Sequence, residues 1–456
     1  MGLILELLRE DPEKIKESQR KRGFSETIVE RVKELDKRWR TEKYNLDKAR
    51  HKRNKLTRKI ANLEGEAKQE IIEEAKSLSH EIEKTEEEVK QLEEKRNDLL
   101  FSIPNVLHES VPVGEDEGDN VPVKYWGRPK IRKKNAPVFE KETGGETPYA
   151  FWEFEPKDHI SLLEKLGGAD FDKAAQVTGS RFYYLTNDVV WLDMALLTYA
   201  LDFMSSKGFT VIEPPFLLRE AIMKGVLDLN EFKQAIYKIE GENLYLIGTS
   251  EHPLAALHSD ETLPKDDLPL TYTGISPCFR KEAGTAGRTT KGLYRVHRFN
   301  KVEQFVFSLP ENSWEWHETL LEHAEGILRE LKIPYRVVNV CTSDIGAVAA
   351  KKYDIQAWMP GPGEYREVVS CSNCLDYQAV RLNIRYGEVK GGPAEGFVHT
   401  LNSTALATSR TIIALLENYQ QEDGSVKIPR VLRPYLKPYQ SAPKTQLVPL
   451  RQKENA

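Results

Sequence analysis

The sequence of 456 residues predicts an α+β protein: an N-terminal antiparallel two-helix coiled-coil arm, followed by a domain built on an antiparallel sheet with flanking helices. Three observations carry that prediction. Apolar residues recur at heptad spacing through two consecutive segments near the N-terminus. The composition shifts abruptly after residue 101. Beyond residue 150, short β-type runs alternate with amphipathic helical stretches.

The first heptad series steps by 4 and 3 through Ile28, Val32, Leu35, Trp39, Glu42, Leu46, Ala49, Arg53, Leu56, Ile60 and Leu63. A break at 64–69, EGEAKQ, precedes a second series of Ile71, Ala75, Leu78, Ile82, Thr85, Val89, Leu92, Arg96 and Leu99. Two helices joined so tightly run antiparallel. At 1.5 Å per residue each is roughly 50 Å long, too long to fold back into a compact domain, so the arm should project.

Charge divides the two helices. Residues 26–63 hold 13 Lys and Arg against 6 acids, whereas residues 70–98 hold 5 against 11. Mutual pairing absorbs part of this split. The run KARHKRNKLTRK at 48–59 still exceeds what one partner face neutralises, leaving Lys48, Arg50, Lys52, Arg53, Lys55 and Arg58 as candidates for a phosphate backbone, where each contact releases counterions. A solvated spacer or dimeriser explains the seam but leaves this surplus unused.

After Phe101 the stretch SIPNVLHESVPVGEDEGDNVPVKYWG is rich in Pro, Gly and acids. The expected organisation is therefore an N-terminal domain over 1–103, a connector over 104–125 and a larger domain over 126–456. Within the last, FTVIEP, NLYLIG and VRLNIRY read as strands, and VVWLDMALLTYALDFM as a helix. VRLNIRY alternates Val380, Leu382, Ile384 and Tyr386 with Arg381, Asn383 and Arg385, the period of a strand covered on one face.

Several function classes lose support. No GxGxxG or GxxxxGK[ST] occurs, so neither dinucleotide nor P-loop binding is expected. Asp193 and Asp202 interrupt the longest apolar run, and no membrane span is expected. Net charge is -5, so any nucleic-acid signal must be local. The N-terminus resembles neither a secretory signal nor a transit peptide, and the four cysteines form no regular framework; both point to the cytoplasm. Cys371 and Cys374 make a single CxxC without a second pair or a His cluster nearby, so no structural zinc is expected.

The segment FRKEAGTAGRTTKGLYRVHRFNKVEQF at 279–305 is the densest candidate for chemistry. It carries seven Lys and Arg and three glycines between apolar flanks. It reads as a strand, a cationic glycine-spaced tip and a returning strand. Arg280 and Glu282, two apart, would share a strand face, so an anion and a hydrogen-bond donor could be read side by side. Phe299 offers a stacking surface for a base.

Together with FTVIEPPF, GTSEHPLAAL and LNSTALATSRTIIALLENYQ, in this order and behind the coiled-coil arm, that segment resembles the class II aminoacyl-tRNA synthetases, and specifically the archaeal and eukaryotic-like branch of the seryl-tRNA synthetases. The match covers nearly the whole chain. It implies a class II catalytic domain that activates L-serine with ATP to seryl-adenylate and transfers the seryl group to the 3′ end of tRNA(Ser), leaving tRNA(Sec) open. The alternative is a catalytically silent relative that binds tRNA or a regulatory partner.

The resemblance also implies site residues. Arg280 would bridge the serine carboxylate and the α-phosphate, Glu282 would read the adenine amino group, and Arg410 would hold the γ-phosphate. Lys281, Val296, Phe299, Glu367, Val368, Val369 and Ser370 complete the implied ATP site, with Glu367 and Ser370 as ligands of the Mg2+ that accompanies ATP. Thr249, Ser250, Glu251, Arg280, Glu303 and Thr404 are implied for serine; Thr404 rather than Ser403 is expected to face it. Arg288 and Lys291 would meet the tRNA acceptor end. A homodimer with tRNA bound across subunits is implied too, and the stripe Leu192, Leu196, Tyr199 and Phe203 is its expected interface.

Overall fold

The computed structural model describes residues 2–60, 64–228, 235–282 and 292–450. They form two compact units that divide between Val106 and Leu107.

The N-terminal unit consists of α1 (Leu3–Glu10), α2 (Pro12–Lys21), α3 (Thr27–Ile60) and α4 (Glu66–Phe101). The heptad reading holds. Leu46 and Leu56 of α3 are buried against Leu78, Ile82 and Val89 of α4, and the seam positions Glu42 and Arg53 are half-buried. Leu63, the last position of the first series, lies outside the described residues. At the base, Ile4, Leu8 and Ile15 of the short helices pack with Val29, Val32, Leu100 and Ile103.

Heptad periodicity does not expose Asp36, which is 1% exposed beside that base. Arg9 grips it through Nε at 2.9 Å and Nη2 at 2.7 Å. Arg40 Nε adds 3.0 Å and Arg96 Nη1 3.5 Å. The Arg96 guanidinium lies 4.3 Å over the Trp39 ring, so two seam positions without aliphatic side chains satisfy each other.

The larger unit is organised around an eight-stranded sheet. Its strands are β1 (Val121–Trp126), β2 (Thr210–Ile212), β3 (Leu270–Phe279), β4 (Arg298–Ser308), β5 (Tyr335–Asn339), β6 (Lys351–Met359), β7 (Glu364–Asn373) and β8 (His399–Ala407). Spatial order is β1-β5-β6-β7-β8-β4-β3-β2. All pairings are antiparallel except that of β2 with β3. β1, at the end of the stretch expected to be a connector, is an edge strand. Its Pro122 and exposed valines suit an edge, and the same features make it read as a linker.

Three long helices cover one face: α5 (Asp188–Ser206), α6 (Ser313–Glu330) and α8 (Thr408–Tyr419). Val302 and Val306 of β4 point into that layer. The odd-numbered residues Phe299, Lys301 and Glu303 face the other way, because side chains alternate along a strand.

Two expectations need correction. VRLNIRY is not one strand. Tyr377–Leu382 forms a short helix, α7, which ends at left-handed Asn383 (φ 56°), and only Arg385–Gly387 is extended. Ala379, Leu382 and Ile384 are buried in one apolar cluster with Phe305 and Phe307, so tertiary packing overrides the period-two alternation. The stripe assigned to a dimer face is also misplaced: Leu192, Leu196 and Tyr199 are buried in the protomer's own core. Val190 and Met194 on another face of α5 are exposed, as is Val211 on β2.

Candidate active site

On the sheet face opposite the three helices, a cavity of about 320 Å³ opens among β4, β6, β7 and β8. Its lining includes Thr249, Glu251, Arg280, Glu282, Val296, Phe299, Glu303, Glu367, Val368, Ser370, Thr404 and Arg410, drawn from segments up to 161 residues apart. Strand register does much of the assembly. Glu303 on β4 lies opposite Gly274 on β3 and Thr404 on β8. A Cβ at Gly274 would come within 2.9 Å of Ser250, so glycine here leaves room for the TSE segment to approach the sheet.

β7 solves a placement problem. Glu367 and Ser370 are three apart and would face opposite sides of a regular strand. The pairing with β6 skips Val368, with Ile355 opposite Val369 and Gln356 opposite Glu367. This bulge turns both side chains to the cavity. Asp354, opposite Ser370, is buried; its Oδ1 has no hydrogen-bond partner, and burial pushes its carboxyl up to about 7. A carboxylate and a hydroxyl are hard oxygen donors, so the pair fits the implied Mg2+.

Opposite charges are interleaved. Arg410 pairs with Glu367 at 3.0 Å and also donates to its carbonyl at 3.1 Å. Burial pushes the Glu367 carboxyl up, but Arg410, Lys352 and Arg280 together hold it below its usual range. Arg280 donates through Nε to the Gly248 carbonyl at 3.2 Å and lies 5.5 Å over the Phe299 ring, with the rest of its guanidinium turned to the cavity. Lys301 pairs with Glu303, and Thr249 Oγ1 donates to Glu303 Oε2 at 3.1 Å. Burial first, and Glu303 second, push Glu251 up to about 7. Neighbouring His252 is pushed down to about 3 by burial.

Other predicted residues fall elsewhere. Ser250 is fully buried and donates to the Gly274 carbonyl at 3.1 Å, supporting the segment rather than lining the cavity. Val369 is in the apolar core. Lys281 is exposed beside Tyr237, its Nζ 5.6 Å from the ring centroid. Arg280 and Glu282 do not share a strand face, because β3 ends at Phe279 and Glu282 is left-handed at φ 49°; the kink still delivers Glu282 to the cavity. Ser403 points away while Thr404 lines the site. Arg288 and Lys291 lie outside the described residues. On the arm, Arg50 pairs with Glu86 and Lys52 with Glu74, both at 2.8 Å, whereas Lys48, Lys55 and Arg58 are exposed.

Sequence reasoning missed Lys301, Lys352 and Asn402, all in the lining. Lys301 was within reach, since it is two residues before Glu303 on the same strand face.

An antiparallel sheet with an arginine-bearing hairpin beside a helix that opens on a second arginine defines a class II aminoacyl-tRNA synthetase. Residues 235–419 match the model of the tRNA synthetase class II core domain (G, H, P, S and T), and residues 3–107 match that of the seryl-tRNA synthetase N-terminal domain. The serine--tRNA ligase of Archaeoglobus fulgidus is 53% identical over 451 residues, 99% of this chain and 100% of the relative. That of Pyrococcus horikoshii is 51% identical over 437 residues, 95% of this chain and 96% of the relative. The crystal structure of the P. horikoshii seryl-tRNA synthetase complexed with ATP is 50% identical and superposes with a TM-score of 0.90 over 98% of this chain and 99% of that one. The cytoplasmic enzyme of Naegleria fowleri in complex with AMP is 39% identical, with a TM-score of 0.82 over 97% and 98%. The chain belongs to the seryl-tRNA synthetase family.

Proposed function

We propose that this chain is a serine:tRNA ligase that activates L-serine with ATP and passes the seryl group to the 3′ end of tRNA(Ser). One observation carries the reading: Thr249, Glu251, Glu303 and Thr404 converge on the cavity that also holds Arg280 and Arg410. Carboxylates suited to an ammonium and a hydroxyl thus stand beside guanidinium groups suited to a carboxylate and phosphates.

In this reading Glu251, Glu303 and Thr249 take the serine ammonium, while Glu303 and Thr404 take its hydroxyl. Arg280 spans the serine carboxylate and the α-phosphate, holding two anions together while a carboxylate oxygen attacks phosphorus and pyrophosphate departs. Phe299 stacks on the adenine, Glu282 accepts from its amino group, and Arg410 holds the γ-phosphate. Mg2+ held by Glu367 and Ser370 would supply charge neutralisation between the phosphates. In the second step a terminal ribose hydroxyl of the tRNA attacks the seryl carbonyl and AMP leaves.

The basic face of α3 is the proposed grip on tRNA, and the exposed apolar face of α5 with β2 the proposed contact in a homodimer that binds tRNA across subunits. Four free, buried cysteines support a cytoplasmic setting. A catalytically silent relative is disfavoured because Arg280, Glu303 and Arg410 all reach one cavity.

The test is amino-acid-dependent ATP–pyrophosphate exchange with each of the twenty amino acids, followed by charging of tRNA(Ser) and tRNA(Sec) transcripts. Serine should support exchange, and alanine should do so about 10,000-fold less well, because Glu303 and Thr404 would be left with unmet hydrogen bonds. Equal rates with alanine would remove the serine assignment.

A further inference from the structure

Gln378, the second residue of α7, is fully buried and belongs to none of the implied site residues. Its amide orientation follows from its partners. Nε2 lies 3.2 Å from the Val226 carbonyl oxygen, which only accepts, and 3.0 Å from Glu251 Oε1. Oε1 lies 2.7 Å from Thr400 Oγ1, whose hydroxyl donates. Reversing the amide would set its oxygen against a carbonyl and a carboxylate at once, so the donor side is committed to Glu251.

The surroundings give that donor a task. Glu251 faces Glu303 and Lys301 from β4, Arg280 from the end of β3, and the Cys374 thiol before α7; neutral His252 adjoins it on its own segment. Burial and Glu303 favour the protonated acid, while Lys301, Gln378 and Arg280 favour the carboxylate. Gln378 alone among the three is neutral, so it stabilises the anion without repelling an incoming ammonium.

We infer that Gln378 is a positioning residue for the amino-acid substrate: its fixed amide donor orients Glu251 and keeps it an acceptor for the substrate ammonium. The inference rests on the reading that this cavity takes serine. Protonated Glu251 would offer an O–H to an ammonium, which accepts nothing, so serine binding should strengthen as pH rises through the titration of Glu251. Removing the donor favours the neutral acid and moves that rise to higher pH.

The experiment uses the full-length chain in ATP–pyrophosphate exchange, with KM for serine and for ATP measured from pH 6 to pH 9. Gln378→Glu puts a second carboxyl against Glu251; Gln378→Met keeps length and removes both donors. Each should raise KM for serine at least about tenfold at pH 7, leave KM for ATP within about twofold, and shift the pH at which serine KM falls upward by about one unit. Thermal melting reports whether each variant folds, and either folded variant suffices. If both KM values rise together, or if the serine pH profile stays put, Gln378 is only a core residue. Absence of serine-dependent exchange in the unaltered chain would instead remove the functional reading itself.

Discussion

The Arg410 guanidinium and the Glu367 carboxylate stand 3.0 Å apart across the mouth of the proposed phosphate site, one at the start of α8 and the other beside the β7 bulge. Each holds the other in its charged form: Glu367 is the largest influence raising the Arg410 pKa, against the pull of burial, and Arg410 leads the cations that lower that of Glu367. Arg410→Ala should lower serine-dependent exchange by about 100-fold or more, since the γ-phosphate loses its donor; because the change also strips Glu367 of its leading counter-charge, the melting temperature should fall modestly while far-UV circular dichroism stays unchanged. Arg410→Lys should recover only part, because a point charge does not replace the planar fork. Exchange within threefold of the unaltered chain would show that the γ-phosphate lies elsewhere.

Asp36 yields a stability prediction. Arg9, Arg40 and Arg96 converge on this buried carboxylate, and Asp36→Ala would remove the acid that Arg9 and Arg40 share and leave Arg96 with Glu93 at 3.6 Å. The N-terminal unit should lose about 3–5 kcal/mol in denaturant titration. Burial raises the Asp36 pKa, but the arginines, Arg9 first, bring it below 3.8. A carboxyl with a depressed folded pKa contributes stability that is present above its unfolded pKa and is lost as pH falls through the folded one. The unaltered chain should therefore show acid loosening of this unit below about pH 4, which Asp36→Asn should flatten.

The sequence made most of this legible where a side-chain pattern was local. The arm followed from heptads, and the cavity residues were implied by the family resemblance that a few short motifs carry. What it hid depends on tertiary context. Gln378 stayed invisible because α7 is six residues long and the alternation of Val380, Leu382 and Ile384, which runs past its end, also suits a strand. Nothing in EVVS announces the bulge that gathers Glu367 and Ser370, and a periodic pattern assigns them to opposite faces. Leu192, Leu196 and Tyr199 were correctly read as an apolar stripe, but periodicity cannot tell a protomer's own core from a partner.

That last point relocates the dimer test. Val190 and Met194 on α5 and Val211 on neighbouring β2 are 37%, 42% and 46% exposed. Met194→Asp introduces a charge on this face without touching the core stripe. Sedimentation at micromolar concentration should show a dimer for the unaltered chain and a shift toward monomer for the variant, with far-UV circular dichroism unchanged. An unaltered chain that sediments as monomer overturns the interface assignment.

The arm prediction must respect its base. Val29, Val32, Leu100 and Ile103 pack with the first two helices, so removing all of 27–100 would strip the N-terminal core as well as the tRNA grip. Charge neutralisation is the cleaner test, and the structure sorts the six basic candidates: Arg53 is a half-buried seam position and is left unaltered. Arg50 and Lys52 already pair with Glu86 and Glu74 on α4, whereas Lys48, Lys55 and Arg58 make no ion pair among the described residues. Replacing those three with Gln should leave serine-dependent exchange within twofold, since exchange involves no tRNA. It should raise KM for tRNA(Ser) in charging about tenfold or more and reduce the slope of log affinity against log salt by up to about 3, roughly one unit per lost phosphate contact. Replacing Arg50 and Lys52 instead should act mainly on the melting of the coiled coil, and only weakly so, because exposed pairs contribute little. Charging and salt dependence unchanged in the triple variant would mean that the exposed basic face of α3 does not meet tRNA and that the arm serves as a spacer.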